Sequence, residues 1–212
     1  MVSLFFSVLA SLFAVVNPLG AVPVFLALTG EYESAERTRV ARSSSMYFVA
    51  ILLTFFLAGN VILSFFGISL NALRIAGGLI ILHSGYGLLK GQSAGSRSIN
   101  KAVKDEAHAK DDISFTPLAM PLLSGPGSIS LLIGLFAENN DWIRRGVIVF
   151  TIFAMGLVVF LIFRSAPYLF RVLGVSGLKA LSRIMGFLVM SIGIQYIIAG
   201  LVNLVQSFLA QQ

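Results

Sequence analysis

The sequence predicts an all-α polytopic membrane protein with six transmembrane helices in two inverted three-helix repeats, helices 1 and 4 being broken at the midplane. Three observations carry that expectation. Apolar residues make up 57% of the 212, charged residues only 11%, and mean hydropathy is +0.92, whereas soluble domains carry about 25% charged residues. Charge-free runs near or beyond the ~20 residues that cross hydrocarbon recur along the chain. Finally, proline and glycine interrupt two of those runs at corresponding places, Val16-Asn17-Pro18-Leu19-Gly20 and Ser124-Gly125-Pro126-Gly127-Ser128.

In chain order, helices are expected at residues 4–28, 46–66, 72–89, 115–136, 147–163 and 184–208. The first has no Lys or Arg ahead of its apolar run and no convincing small-residue cleavage site, so it reads as a retained helix rather than a signal peptide. Residues 93–112, Gly/Ser-rich and then mixed in charge, form a cytoplasmic linker between a first repeat at 1–92 and a second at 113–212. The halves echo one another. Gly67-Ile68-Ser69-Leu70-Asn71-Ala72-Leu73-Arg74-Ile75-Ala76-Gly77-Gly78 recurs, with two extra residues, at 174–187, so that Arg74 answers Arg183 and Gly77 answers Gly186. Pro18 and Pro126 fall at nearly the same offset. Three crossings per half is an odd number, so the second half enters the membrane from the opposite side.

The net charge of +6 reports orientation before it reports a nucleic-acid partner, and none is expected. With six crossings, Arg74, Arg144 and Arg145 lie on one side and the rest of the 15 basic residues on the other. The positive-inside rule puts the richer side in the cytoplasm and both termini outside. The chain has no cysteine, which excludes disulfides and thiolate metal sites, and no His/Asp/Glu cluster has ligand spacing. No Walker or GxGxxG motif offers a nucleotide site, and no base, nucleophile or metal set suggests an enzyme. No cofactor is expected, and the coupling ion, proton or sodium, is left open.

The two breaks are the expected substrate site. A proline inside a helix removes an N–H and clashes with the carbonyl four residues back, so Pro18 frees the carbonyl of Ala14 and Pro126 that of Leu122. Lipid cannot satisfy such groups, and a kink alone is the plainer reading of any single proline. Paired breaks in two inverted halves point instead to a transporter's binding site. Each break begins a half-helix whose free N–H groups suit a carboxylate, at Pro18 to Gly20 and at Pro126 to Ser128. Carbonyls at the ends of the preceding half-helices suit an ammonium. Asn17, Pro18, Gly20, Ser124, Gly125, Pro126, Gly127 and Ser128 are thus matched to a small zwitterion, with alternating access as the mechanism; the alternative is a channel or passive pore for small solutes.

These motifs, together with Asn17 to Phe25, Pro117-Leu118-Ala119-Met120-Pro121-Leu122-Leu123-Ser124-Gly125-Pro126-Gly127 and Ser182-Arg183-Ile184-Met185-Gly186-Phe187, resemble the MarC family of bacterial and archaeal membrane proteins over nearly the whole chain. The resemblance implies a secondary transporter, exporter or exchanger, of small neutral amino acids such as glycine, alanine and serine, like the SnatA-type members. It implies a multi-pass protein of the prokaryotic inner or plasma membrane, with helices 1 and 4 as the binding elements.

Other polar residues have two readings each. His83, deep in helix 3, is a possible proton-coupling group or, more commonly for such a residue, a neutral hydrogen-bonded one. Asn60, Gln195 and Asn203 are expected to bond between helices rather than to line a pathway. Arg74 and Arg183 are expected to snorkel or cap helix ends, and Gly77, Gly78 and Gly186 to let helices approach closely.

Overall fold

The computed structural model describes residues 1–91 and 113–209, the side chain of Phe208 excepted, and every regular element among them is helical. The expected linker at 93–112 lies outside the described residues. Helix α1 (Val2–Val16) meets α2 (Pro18–Leu28) at a 43° bend. Helices α3 (Ser34–Phe66) and α4 (Leu70–Leu89) follow. An irregularly wound segment, Ser114–Leu123, then meets α5 (Pro126–Glu138) at 66°, before α6 (Trp142–Arg164) and α7 (Ala166–Leu209). Four helices, α3, α4, α6 and α7, are long and apolar enough to cross a membrane, and each bent pair has the length and composition of one further span.

Three departures from expectation are the largest, the other helix ends lying within five residues of it. Helix α3 starts at Ser34, ahead of the apolar run, because Ser34-Ala35-Glu36-Arg37 winds readily with Glu36 in the first turn; hydropathy locates a crossing, not a helix end. Helix α7 starts at Ala166 and is interrupted at Gly174, whose φ of 61° and ψ of −177° only glycine adopts without strain. Its counterpart in the repeat, Gly67, also has positive φ, 63°, and closes α3. The first half of the expected fourth helix is not an α-helix. Thr116 (φ −121°, ψ 121°) and Met120 (φ −132°, ψ 127°) are extended, because each precedes a proline whose Cδ crowds the α conformation.

Helices α4 and α7 form the tightest pairing, along a seam of glycines. A Cβ on Gly78 or on Gly85 would come 2.7 Å from the carbonyl oxygen of Gly193 or Gly186, and one on Gly200 would come 3.0 Å from that of Asn71. Asn71, Gly78 and Gly85 recur every seven residues along α4 and so do Gly186, Gly193 and Gly200 along α7. A step of seven nearly closes two turns, so each set keeps one face, and the pairing runs antiparallel. Lipid supplies no hydrophobic drive between helices, and close backbone approach through small residues substitutes for it.

The broken elements lie across the division between halves. Helix α1 packs on α6 and α2 on α7, while Ser114–Leu123 packs on α3 and α5 on both α3 and α4. Between them sits a core in which Phe25 stacks on Phe163, ring centroids 4.4 Å apart, and Phe56 meets Phe136 edge-on at 5.1 Å.

Candidate functional site

At the first break the chain turns through Asn17, whose left-handed φ of 47° and ψ of 59° a short polar side chain tolerates. Asn17 N still donates to Phe13 O at 2.9 Å, and Pro18 has no N–H to continue the helix. The Asn17 side chain then serves the helix it begins: its Oδ1 accepts from Gly20 N at 3.2 Å. This corrects the expectation that the Gly20 N–H is free. Asn17 is 2% exposed, and its Nδ2 is buried without a partner. A Cβ on Gly20 would lie 2.9 Å from Asn17 Cγ and 3.0 Å from Ser182 Oγ, so α7 closes over this break.

The second break is built differently. Ser124 N donates to Ala119 O, five residues back, at 2.9 Å, the wide spacing of a segment that Pro117 and Pro121 prevent from winding as an α-helix. Gly125 occupies the cap position of α5 in an extended conformation, with no side-chain cap, and Pro126 opens the helix. Ser128 Oγ donates to Gly125 O at 2.9 Å. Ser124 is 1% exposed, and its Oγ is buried without a partner. Pro126 is exposed.

The two breaks adjoin. A Cβ on Gly127 would lie 3.4 Å from Val15, two residues ahead of Asn17, and 2.9 Å from Ile81 of α4. Ala14, Ile81, Leu88 and Val189 form a small apolar cluster beside them. The arrangement therefore offers two orphaned polar atoms, Asn17 Nδ2 and Ser124 Oγ, and the uncapped start of α5, with no carboxylate or cation among the residues at either break. Buried orphans of this kind cost ~1–3 kcal/mol each unless something bonds them.

No spacing along the chain marks Ser182 as a neighbour of Gly20, although it opens the motif Ser182-Arg183, and sequence reasoning missed it. It also missed two cross-helix bonds beneath α5, from Tyr196 Oη to Leu131 O at 3.0 Å and from Ser130 Oγ to Leu73 O at 3.4 Å. Gly77 lies against Ser130 and Gly78 and Gly186 lie in the α4–α7 seam, in keeping with close packing. Arg74 does not snorkel: it is 5% exposed and pairs with Glu138 at the end of α5, its Nε left without a partner. Arg183, its counterpart, is exposed. His83 is on the exposed face of α4, while Ile81 two residues earlier faces Gly127. Asn60, Gln195 and Asn203 are also exposed, and none bonds to another helix among the described residues.

The sequence profile described as MarC family integral membrane protein matches residues 2–205. The chain belongs to the MarC family. A UPF0056 membrane protein of Methanocaldococcus jannaschii is 38% identical over 91% of the chain and 93% of its own length. One from Buchnera aphidicola subsp. Acyrthosiphon pisum is 36% identical over 94% and 92%. The UPF0056 inner membrane protein MarC of Escherichia coli (strain SMS-3-5 / SECEC) is 35% identical over 94% and 95%. No solved structure matches the chain. This MarC family member is thus an integral membrane protein whose regular elements, among the described residues, are helical, several of them of membrane-spanning length and composition.

Proposed function

We propose that this MarC family protein is a secondary transporter of small neutral amino acids such as glycine, alanine and serine, holding them between its two broken helices and working by alternating access. The observation that carries the reading is the juxtaposition of two breaks, each with a buried, unpartnered polar atom, Asn17 Nδ2 and Ser124 Oγ. Backbone that leaves its helical ladder at membrane depth persists only where protein buries it or where it lines a polar cavity, and the unpartnered polar atoms at both breaks favour the second. A carboxylate bonded by Ser124 Oγ, Asn17 Nδ2 and the uncapped N–H groups of α5 would relieve those orphans, and the positive end of the α5 dipole favours it. The absence of full charges at the breaks selects against charged cargo, and the closeness of Val15, Ile81 and Ser182 selects for small cargo.

In this reading each bent pair is one span, giving six, and the halves are inverted repeats. Two findings support the inversion. The packing partners correspond, α1 on α6 answering Ser114–Leu123 on α3, and α2 on α7 answering α5 on α4. The pairing of α4 and α7 is also antiparallel, as a twofold axis in the membrane plane requires of the two corresponding helices. By the positive-inside rule both termini lie outside an inner membrane, the location named for the Escherichia coli relative.

The test is counterflow in proteoliposomes loaded with unlabelled glycine. A carrier accumulates external labelled glycine transiently and saturably, whereas a pore only equilibrates it. Uptake no greater than in empty vesicles, or linear in concentration, contradicts the proposal.

A further inference from the structure

We propose that the outer face between α3 and α6 is a binding site for one anionic phospholipid. A groove of about 660 Å³ runs there, lined by Met46, Ala50 and Leu53 of α3 and Phe153, Leu157 and Phe160 of α6, with Arg42 at one end. Its walls are apolar and partly open to the bilayer, Met46 being 62% and Leu157 58% exposed. Gly156 lets the helices meet at its floor, where an added Cβ would come 3.8 Å from Ser45 O and would collide with Val49.

The groove is cationic at one end only. Phe163 at the end of α6 stacks on Phe25, and one turn beyond Phe25 the carbonyl of Thr29 accepts from Arg37 Nη2 at 2.9 Å, near the start of α3. The start of α3 and the end of α6 therefore share one end of the bundle. Arg39, one turn before Arg42, and Arg164, one turn beyond Phe160, are exposed there. From Arg42 to Leu53 α3 rises about 16 Å at ~1.5 Å per residue, roughly half of the ~30 Å hydrocarbon core. The groove thus has the depth of one leaflet's acyl chain, with guanidinium groups at headgroup level.

A second copy fits less well. Twofold pairing about the membrane normal would set the Arg42 ends of two copies at the same height, cation facing cation. A lipid phosphate is the complement, and basic pockets between helices recognise such headgroups.

Native mass spectrometry of the full chain, titrated with palmitoyl-oleoyl phosphatidylglycerol or phosphatidylcholine, tests this. Wild type is expected to retain phosphatidylglycerol at least roughly fivefold more tightly, the contribution of one basic residue near a headgroup. Arg42→Gln should bring the ratio toward one, and Ala50→Trp, which fills the groove from its exposed side, should weaken both lipids while leaving the melting temperature unchanged. Arg144→Gln, at the start of α6, should alter nothing. Equal binding of the two lipids by wild type overturns the proposal, as does a preference that survives Arg42→Gln. So does a stable dimer that Ala50→Trp dissociates, which would make the face a contact between copies.

Discussion

The two breaks end their helices by opposite means. The first rests on one dipeptide: Asn17 turns the chain, caps the next helix through Oδ1, and Pro18 withholds the N–H that would carry α1 onward. The second rests on many residues. Pro117 and Pro121 hold Thr116 and Met120 extended, Gly125 supplies an uncapped start, and Pro126 merely opens α5. The first break satisfies its own helix and keeps one spare donor, whereas the second leaves a helix N-terminus and a hydroxyl unsatisfied. In the proposed transporter the second break is therefore the carboxylate anchor, and the first is the hinge that one substitution can remove.

Pro18→Ala should have the largest effect. It restores an N–H to the Ala14 carbonyl, lets α1 run into α2, and takes Asn17 out of the site. Transport efficiency for glycine should fall by roughly two orders of magnitude, through loss of the one Asn17 hydrogen bond to a charged group together with the bend that sets the two breaks side by side, while membrane levels stay near normal. A carrier that works unchanged would show that the hinge is dispensable.

Ser124→Ala separates binding from folding. Removal of a buried hydroxyl with no protein partner should leave thermal stability unchanged or raise it by about 1 kcal/mol, yet weaken glycine affinity about tenfold. Parallel loss of both would mean that Ser124 bonds something in the fold instead. Asn17→Ala should move both quantities down, affinity several-fold and stability by ~1 kcal/mol, because it deletes a helix cap and puts alanine in a left-handed conformation. The opposite stability signs of Ser124→Ala and Asn17→Ala are the sharpest statement of how the breaks differ.

The smallest effects belong to Pro126→Ala and Pro167→Ala, each within about 0.5 kcal/mol of wild type in stability and within twofold in transport. Pro126 lies at the first position of a helix that three other residues already hold apart from the preceding chain, and Pro167 is exposed near the start of α7. A strong defect in Pro126→Ala would return the second break to the control of a single proline.

Much of this was legible in the sequence, and the remainder has identifiable causes. Proline and glycine mark the breaks because their backbone chemistry is local, and hydropathy marks the apolar helices because burial in lipid is a matter of composition. The irregular winding of Ser114–Leu123 was also within reach, since the residue before each proline is barred from the α region. The cap by Asn17 was harder to see, because Asn serves equally as a cap, a turn residue or an interhelical donor. The pairing of Arg74 with Glu138 and the approach of Ser182 to Gly20 depend on tertiary packing, which no spacing along the chain reveals. The glycine seam was half visible: Gly78 and Gly186 invited close packing, but the register with Gly193 and Gly85 needs both helices in hand.

Competition against labelled glycine counterflow by alanine and by glycinamide tests most directly whether the α5 break reads a carboxylate. The two compounds differ little in size, and only alanine presents an anion to the uncapped N–H groups and Ser124 Oγ. Alanine should inhibit at concentrations near its own half-saturation, and glycinamide should need concentrations about a hundredfold higher, given hydrogen bonds to a charged group worth ~1.5–3 kcal/mol each. Equal inhibition by the two would contradict a carboxylate anchor at the second break.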